Sequence, residues 1–254
     1  MVNIGLIGTG YWGKMLQQRL ERCGTVVFAC SGRDAEEYIS KIAGVDWVVV
    51  ATPNQTHYGI VNACLSQRVN VFCEKPLTAN RTQSEELHRY AEKNGAALYV
   101  DDVFLFRDET KELAERVRGS QIRSMGFIYK KHGSFKDTLF NNWAYHDLSI
   151  LFHLFKNMNY TNLRFARNDT DRKEFAFSLG DMEITFSYDR LSDQKDRRIL
   201  VDGKMIDYTH PTNDALEDML TKVLSGEADF NGNKMMCMAV DEALEALNAF
   251  EPKK

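Results

Sequence analysis

The chain lacks any uninterrupted apolar run of the roughly 20 residues that a membrane-spanning helix needs. It also lacks a charge excess. A formal net charge of -4 over 254 residues leaves no electrostatic footprint for nucleic acid or an anionic membrane surface. The five cysteines (Cys23, Cys30, Cys64, Cys73, Cys237) are odd in number, scattered, and form no C-x-x-C pair. They read as reduced core residues of a cytoplasmic protein, with a reactive thiol at Cys73 as the sharper alternative. No metal site is expected. Internal repeats, low-complexity tracts and flexible linkers are missing, and the first strand begins at once, with no visible signal peptide. What remains is an ordinary globular composition, 44% hydrophobic, able to bury a real core.

The most informative stretch is at the start. Ile4 to Ile7 reads as a buried strand, Gly8, Gly10 and Gly13 follow in G-x-G-x-x-G spacing, and Met15, Leu16 and Leu20 mark an amphipathic helix. This order suits a dinucleotide. The first glycine permits a tight turn, the second lets the backbone approach a pyrophosphate, and the third lets helix and strand pack closely. The helix N-terminus adds unpaired N–H groups and a positive dipole end. A glycine-rich turn without a ligand is the plainer reading of the same stretch. Tyr11 and Trp12 either pack on the dinucleotide or serve as core.

Two further absences follow. Thr25 to Cys30 is a second strand, and its tip, Ser31-Gly32-Arg33, carries no carboxylate where a dinucleotide fold reads the ribose. A 2′-phosphate would meet no repulsion there; Arg33 could pair with it and Ser31 could donate to it. NADP is therefore expected over NAD, unless the tip is only a solvated turn. Then only one helix, Asp34 to Ala43 with Asp34 as N-cap, separates this strand from Val48 to Thr52. A helix, a strand and a second helix, at about 11 and 5 residues each, do not fit. One helix–strand unit is missing, which predicts a narrower sheet.

The chain continues with a helix carrying Ile60, Val61, Ala63, Cys64 and Leu65, a strand over Val69 to Cys73, a helix over Asn80 to Asn94 stopped by Gly95, and a strand over Ala97 to Val100. Two strands end in polar groups, Pro53-Asn54-Gln-Thr-His57 and Glu74-Lys75-Pro76, as suits a crevice at the carboxyl edge of a parallel sheet. His57 either binds near the cofactor or caps its helix. Composition then changes. A helix over Glu109 to Arg118 is followed by an alternating strand over Ile122 to Lys131 and an apolar helix over Asn142 to Phe155. Strands are expected at Arg164 to Ala166, Glu174 to Leu179, Met182 to Tyr188 and Arg198 to Val201, with a hairpin at Gly180-Asp181. Helices over Asp214 to Leu224 and Met236 to Leu247 close the chain. Strand following strand indicates an antiparallel sheet. The expected fold class is α/β, a Rossmann-type parallel sheet over 1–104 followed by an α+β domain over 105–254. The Lys130-Lys131 and Arg197-Arg198 pairs could meet a substrate phosphate or be solvated strand ends, and His132 and His153 read as structural.

The motifs Gly8-Thr-Gly-Tyr-Trp-Gly13, Ala51-Thr-Pro-Asn-Gln-Thr-His57 and Glu74-Lys-Pro76 together resemble the Gfo/Idh/MocA oxidoreductase family, and Tyr99 to Phe106 and Ala144 to Ile150 look like its branch acting on sugars and nucleotide sugars. The resemblance covers most of the chain and thins after about residue 160. It implies hydride transfer between a nicotinamide, of NADP or NAD, and a sugar carbon. It implies Lys75 beside nicotinamide and substrate, with His146 as the acid/base. It implies cofactor contacts from Thr9, Thr52, Pro53, Asn54 and Glu74 besides the glycine turn, and substrate contacts from Asn142 and Tyr145. A homodimer or homotetramer through the second sheet is implied too. Chemistry agrees: imidazole accepts a hydroxyl proton near neutrality, and an ammonium stabilises developing alkoxide charge. The family usually carries an aspartate four residues before the histidine, where this chain has Asn142, an amide that orients but cannot act as a base. A non-catalytic, NAD(P)- or partner-binding member of the same fold stays open beside the enzyme.

Overall fold

The computed structural model describes residues 1–33, 35–133 and 137–250. The chain divides into two compact units, Met1–Val103 with Asp214–Asp241, and Phe104–Asn213 with the chain from Glu242 on. The units part between Val103 and Phe104, and Asp214–Asp241 lies with the first unit, where the sequence reading had the whole of 105–254 in one domain.

The first unit is a five-stranded parallel sheet in the order β2-β1-β3-β4-β5. Its strands are β1 (Asn3–Ile7), β2 (Thr25–Cys30), β3 (Trp47–Val50), β4 (Asn70–Cys73) and β5 (Leu98–Val100). A six-stranded dinucleotide sheet runs 3-2-1-4-5-6, and removal of its third strand leaves this order. The missing unit is thus real, and the strand order still reverses beside β1, between β1 and β3. β3 is buried along its whole length, as a central parallel strand must be, which explains its unbroken Trp-Val-Val-Val. Helices α1 (Tyr11–Cys23), α2 (Ala35–Ile42), α3 (Asn54–Ser66) and α4 (Arg81–Asn94) connect the strands. The expected N-cap Asp34 lies outside the described residues. At α4 the sequence signals are met: the Asn80 side chain accepts the Gln83 N–H at 3.0 Å, and Gly95 closes the helix in the left-handed region.

The returning helices are part of this unit for evident reasons. α7 (Ala215–Leu224), capped by Asp214, lies along α1, with Arg19 paired to Asp214 and Arg22 to Glu217. α8 (Phe230–Asn248) sets Phe230 against Trp47 and edge-on to Tyr99, while the Asn233 amide exchanges hydrogen bonds with the Val100 backbone at 2.8 and 2.9 Å.

The second unit is a six-stranded sheet in the order β11-β10-β6-β9-β8-β7. Its strands are β6 (Ser124–Lys130), β7 (Tyr160–Asn168), β8 (Arg172–Leu179), β9 (Met182–Asp189), β10 (Asp196–Val201) and β11 (Lys204–Asp207). β6 and β9 pair in parallel and the remaining neighbours are antiparallel. The hairpin at Gly180 forms as read, with Leu179 opposite Met182. One face buries Phe127, Phe175, Phe177, Ile184, Phe186 and Tyr188, and the Phe175 and Phe186 rings stack at 4.4 Å. Helix α5 (Asp108–Val117) and helix α6 (Tyr145–Phe155) complete the unit. Sequence reading missed β11, a four-residue strand with one buried side chain and no alternation to detect. It also read one α-helix from Asn142, where the structure has a π-helical turn, Phe140–Ala144, leading into α6.

Candidate functional site

In the first unit the glycine turn has the geometry its spacing requires. Gly8 has φ +113°, and a Cβ there would lie 2.3 Å from the Ala51 carbonyl oxygen. A Cβ on Gly13 would lie 1.8 Å from the Gly8 carbonyl oxygen, so this glycine lets α1 close onto β1. Gly10 is different. Its φ of -69° is ordinary, and a Cβ would meet no protein atom within 4 Å. Nothing in the chain's own packing demands glycine at position 10, and the space beside it is open. α1 begins here with no side-chain cap and no acidic residue in its first turn, and α3 begins the same way behind Pro53. Both lie at the carboxyl ends of β1 and β3, where the strand order reverses, so two uncapped N-termini offer N–H groups to an anion. The residues present fit a dinucleotide pyrophosphate. Thr9 and Tyr11 are exposed, Tyr11 at 82%, so Tyr11 is not core and its ring is open to a ligand. At the tip of β2, Ser31 and Arg33 are both exposed, and the Ser31 hydroxyl accepts the Arg33 N–H at 3.3 Å. The Thr52 hydroxyl accepts from Thr56 at 2.7 Å, Pro53 is exposed, and Asn54 opens α3.

Lys75 directly follows Glu74 at the end of β4 and is half-buried, with a cis peptide to Pro76. Glu74 is buried and accepts the Trp12 indole N–H, which ties the glycine turn to the strand carrying the lysine. Burial pushes the Glu74 carboxyl well above its ordinary range, with the neighbouring Asp101 adding to the rise. His57 corrects the sequence reading. It is fully buried, with Nδ1 2.9 Å from the Pro76 carbonyl oxygen and Nε2 2.8 Å from that of Thr52. Both nitrogens face backbone carbonyls, to one of which the neutral ring donates, so the ring bridges the two loops. Burial holds its pKa below the ordinary value.

In the second unit His146 stands near the start of α6, 9% exposed, with the Phe104 ring 4.4 Å away. Beside it Asp147 is buried and ion-paired to Arg197 at 2.5 Å, and it accepts the Tyr188 hydroxyl at 2.8 Å. The Arg197 guanidinium lies 3.9 Å from the Phe104 ring centre and 4.6 Å from that of Tyr129. Arg107, paired with Glu109 at 3.1 Å, faces Phe104 and Tyr208 at 5.1 Å each. Asn142 lies in the π-turn and donates its amide N–H to the Thr138 carbonyl at 3.2 Å. Tyr145 is fully buried.

Sequence reading missed several of these groups. Arg197 is far in the chain from Phe104 and Arg107, and only the fold brings both guanidiniums onto the Phe104 ring. Asp101 and Asp102 were legible as a motif but not as buried carboxyls. Of the two readings of Arg197, a substrate phosphate contact or a solvated strand end, the second does not hold: at 4% exposure and paired to Asp147 it is a core residue. Among the described residues no three His, Cys, Asp or Glu side chains are grouped to hold a metal, no helix is long and apolar enough to cross a membrane, and the five cysteines are free.

Residues 17–102 match the profile of the Gfo/Idh/MocA group, described as an oxidoreductase family with an NAD-binding Rossmann fold. The chain is 34% identical over 108 residues to inositol 2-dehydrogenase 1 of Mycolicibacterium vanbaalenii, covering 41% of this chain and 31% of that protein. It is 46% identical over 57 residues to an uncharacterized oxidoreductase, YfiI, of Bacillus subtilis, covering 22% and 14%. The matched stretches thus span a third or less of these relatives. Among solved structures, the WlbA (WbpB) dehydrogenase of Thermus thermophilus, crystallised with NAD and UDP-GlcNAcA, has a TM-score of 0.83 at 18% identity and is covered to 97%, with 100% of this chain. UDP-N-acetylglucosamine 3-dehydrogenase GnnA of Acidithiobacillus ferrooxidans has a TM-score of 0.84 at 15% identity, covering 98% of this chain and 97% of that one. At these identities the likeness to the two structures is one of fold.

Proposed function

We propose that this chain, whose residues 17–102 match the Gfo/Idh/MocA oxidoreductase family, is a member of it and an NAD(P)-dependent dehydrogenase acting on a sugar or nucleotide sugar. The observation that carries this reading is the turn at Gly10, which leaves open space beside an uncapped helix N-terminus on the switch point of the sheet. The nicotinamide, when bound, supplies the hydride acceptor or donor. The chain's own residues supply the rest. The glycine turn and the N-termini of α1 and α3 hold the pyrophosphate. Ser31 and Arg33 receive a 2′-phosphate, which favours NADP. Lys75 stabilises the charge that develops on the reacting oxygen, and His146 takes or returns the hydroxyl proton. Asp147 is committed to Arg197 and Tyr188, so it leaves the proton transfer to its neighbour. UDP sugars come first among candidate substrates because both structural neighbours carry them in their names. The outer face of the second sheet, a groove of about 580 Å³ lined in part by Gly126, Thr185, Ala176 and Leu200, is the proposed contact with a second copy of the chain.

The test is turnover with NADP or NAD against a panel of UDP sugars and free sugars, on the wild type and His146→Ala. The expected result is that His146→Ala abolishes turnover while NADP binding persists. Normal turnover by the variant would reject the role of His146. No turnover by a folded, cofactor-binding wild type across the panel would favour the binding-only alternative.

A further inference from the structure

The carboxyl edge of the first sheet buries more acid than one lysine can balance. β4 and β5 are parallel neighbours with Cys73 opposite Val100, and the next residues on each, Glu74 and Asp101, emerge at the same level. Glu74, Asp101 and Asp102 are 7%, 1% and 4% exposed. Lys75 is the cation that acts on Glu74 and Asp101. Asp102 is accounted for separately: Tyr99 donates to both of its oxygens at 2.9 Å, and Asn233 donates to one at 3.2 Å.

The hydrogen-bond inventory at Glu74 and Asp101 closes in one way. Glu74 Oε1 accepts the Trp12 indole N–H. Asp101 Oδ1 accepts the Val103 N–H at 2.9 Å. Asp101 Oδ2 is buried and has no hydrogen-bond donor among the described residues. Glu74 and Asp101 directly follow paired residues of neighbouring parallel strands and are both buried, so a proton held by Glu74 is the donor this edge can offer the unsatisfied Asp101 Oδ2. Two ionised carboxylates side by side, away from water, repel too strongly for both to persist.

We propose that Glu74 and Asp101 act as one acid holding a single shared proton, and that its one negative charge positions the Lys75 ammonium. Trp12 then links the charge state of this pair to the glycine turn. The pair titrates as a unit, so neither residue alone owns the proton. The groups that face it are Lys75 and Cys73 on its own segment, Trp12 from α1, Asp102 beyond β5, and Tyr99 behind Asp102. The consequence for hydride transfer rests on the reading of Lys75 given above. The charge state itself does not, and can be read on the full chain with no substrate or cofactor.

The test is the infrared spectrum of the full-length protein at about pH 9, where Asp102, which titrates at about 7, is ionised. The wild type should show the C=O stretch of one protonated carboxyl per chain. Glu74→Gln and Asp101→Asn should each remove it, and Asp102→Asn should retain it. Absence of the band from the wild type, or its survival in both Glu74→Gln and Asp101→Asn, would overturn the proposal. A second readout concerns Lys75. Its labelling by trinitrobenzenesulfonate, located by peptide mass mapping, should change little in either single variant, since each keeps one charge. It should rise about tenfold or more in Glu74→Gln/Asp101→Asn, where an opposite charge beside an ammonium has been lost. An equal tenfold rise in each single variant would mean two full charges, and would overturn the shared proton.

Discussion

The two units bury charge in opposite ways. The second unit balances it: Arg197 meets Asp147, Arg107 meets Glu109, and the flat faces of both guanidiniums rest on Phe104, Tyr129 and Tyr208. The first unit leaves an excess, three buried carboxyls at the carboxyl edge of its sheet around a single lysine. A balanced buried pair gives the chain a fixed geometry at the cost of desolvation. An unbalanced cluster forces protons to be retained, and retained protons are what an acid–base site can use.

The largest effect should come from breaking a balanced pair. Arg197→Ala leaves Asp147 buried without its cation, and a loss of about 3–5 kcal/mol is expected in denaturant unfolding. Arg197→Met/Asp147→Leu should recover most of it, because neither charge then remains to be desolvated. If the single and double variants lost the same amount, packing rather than charge balance would hold this region together.

The excess in the first unit makes a pH prediction. Asp102 titrates at about 7 in the fold against an ordinary 3.8, because burial and then the neighbouring Asp101 disfavour its charge. A carboxyl raised in this way binds its proton more tightly when folded. Its contribution to stability is therefore complete below pH 4 and is lost as the pH rises from about 4 to about 7, on the order of 4 kcal/mol at most. His88 works from the other side. Burial, and then Lys234, hold its pKa at about 4 against 6.5, so its contribution is complete above pH 6.5 and is lost as the pH falls toward 4. The two act over the same window with opposite signs, so between about pH 4 and 6.5 Asp102→Asn should make stability rise more with pH than in the wild type, and His88→Gln should make it fall more. A pH dependence unchanged in Asp102→Asn would remove Asp102 from the buried excess.

A smaller effect separates the glycines. Gly13→Ala drives a methyl into the Gly8 carbonyl, and about 1–3 kcal/mol of stability should be lost as α1 shifts. Stability equal to wild type would mean that the close approach of α1 to β1 is not required.

Much of this was legible in the sequence where local rules decide. The glycine turn, the Asn80 and Gly95 caps, the Gly180 hairpin and the absent helix–strand unit each follow from spacing or turn chemistry that acts over a few residues. The rest depends on partners distant in the chain. Asp214–Asp241 returns to the first unit through Arg19, Arg22, Trp47 and Val100, none of which its own sequence announces. His57 looks like a ligand until two carbonyls are found on its ring. The π-turn before His146 has the same apolar pattern as the helix it enters, so periodicity alone could not mark it.

The claim on which the rest depends is that the turn at Gly10 cradles a dinucleotide, and Gly10→Ala addresses it because the new methyl meets no protein atom within 4 Å. Calorimetric titration of wild type and Gly10→Ala with NADP and then NAD, alongside their thermal unfolding, is the measurement to make. The account predicts binding by the wild type with NADP preferred, at least tenfold weaker binding by the variant, and melting temperatures that agree closely. Equal affinity in the two proteins, or no binding by a folded wild type, would contradict it.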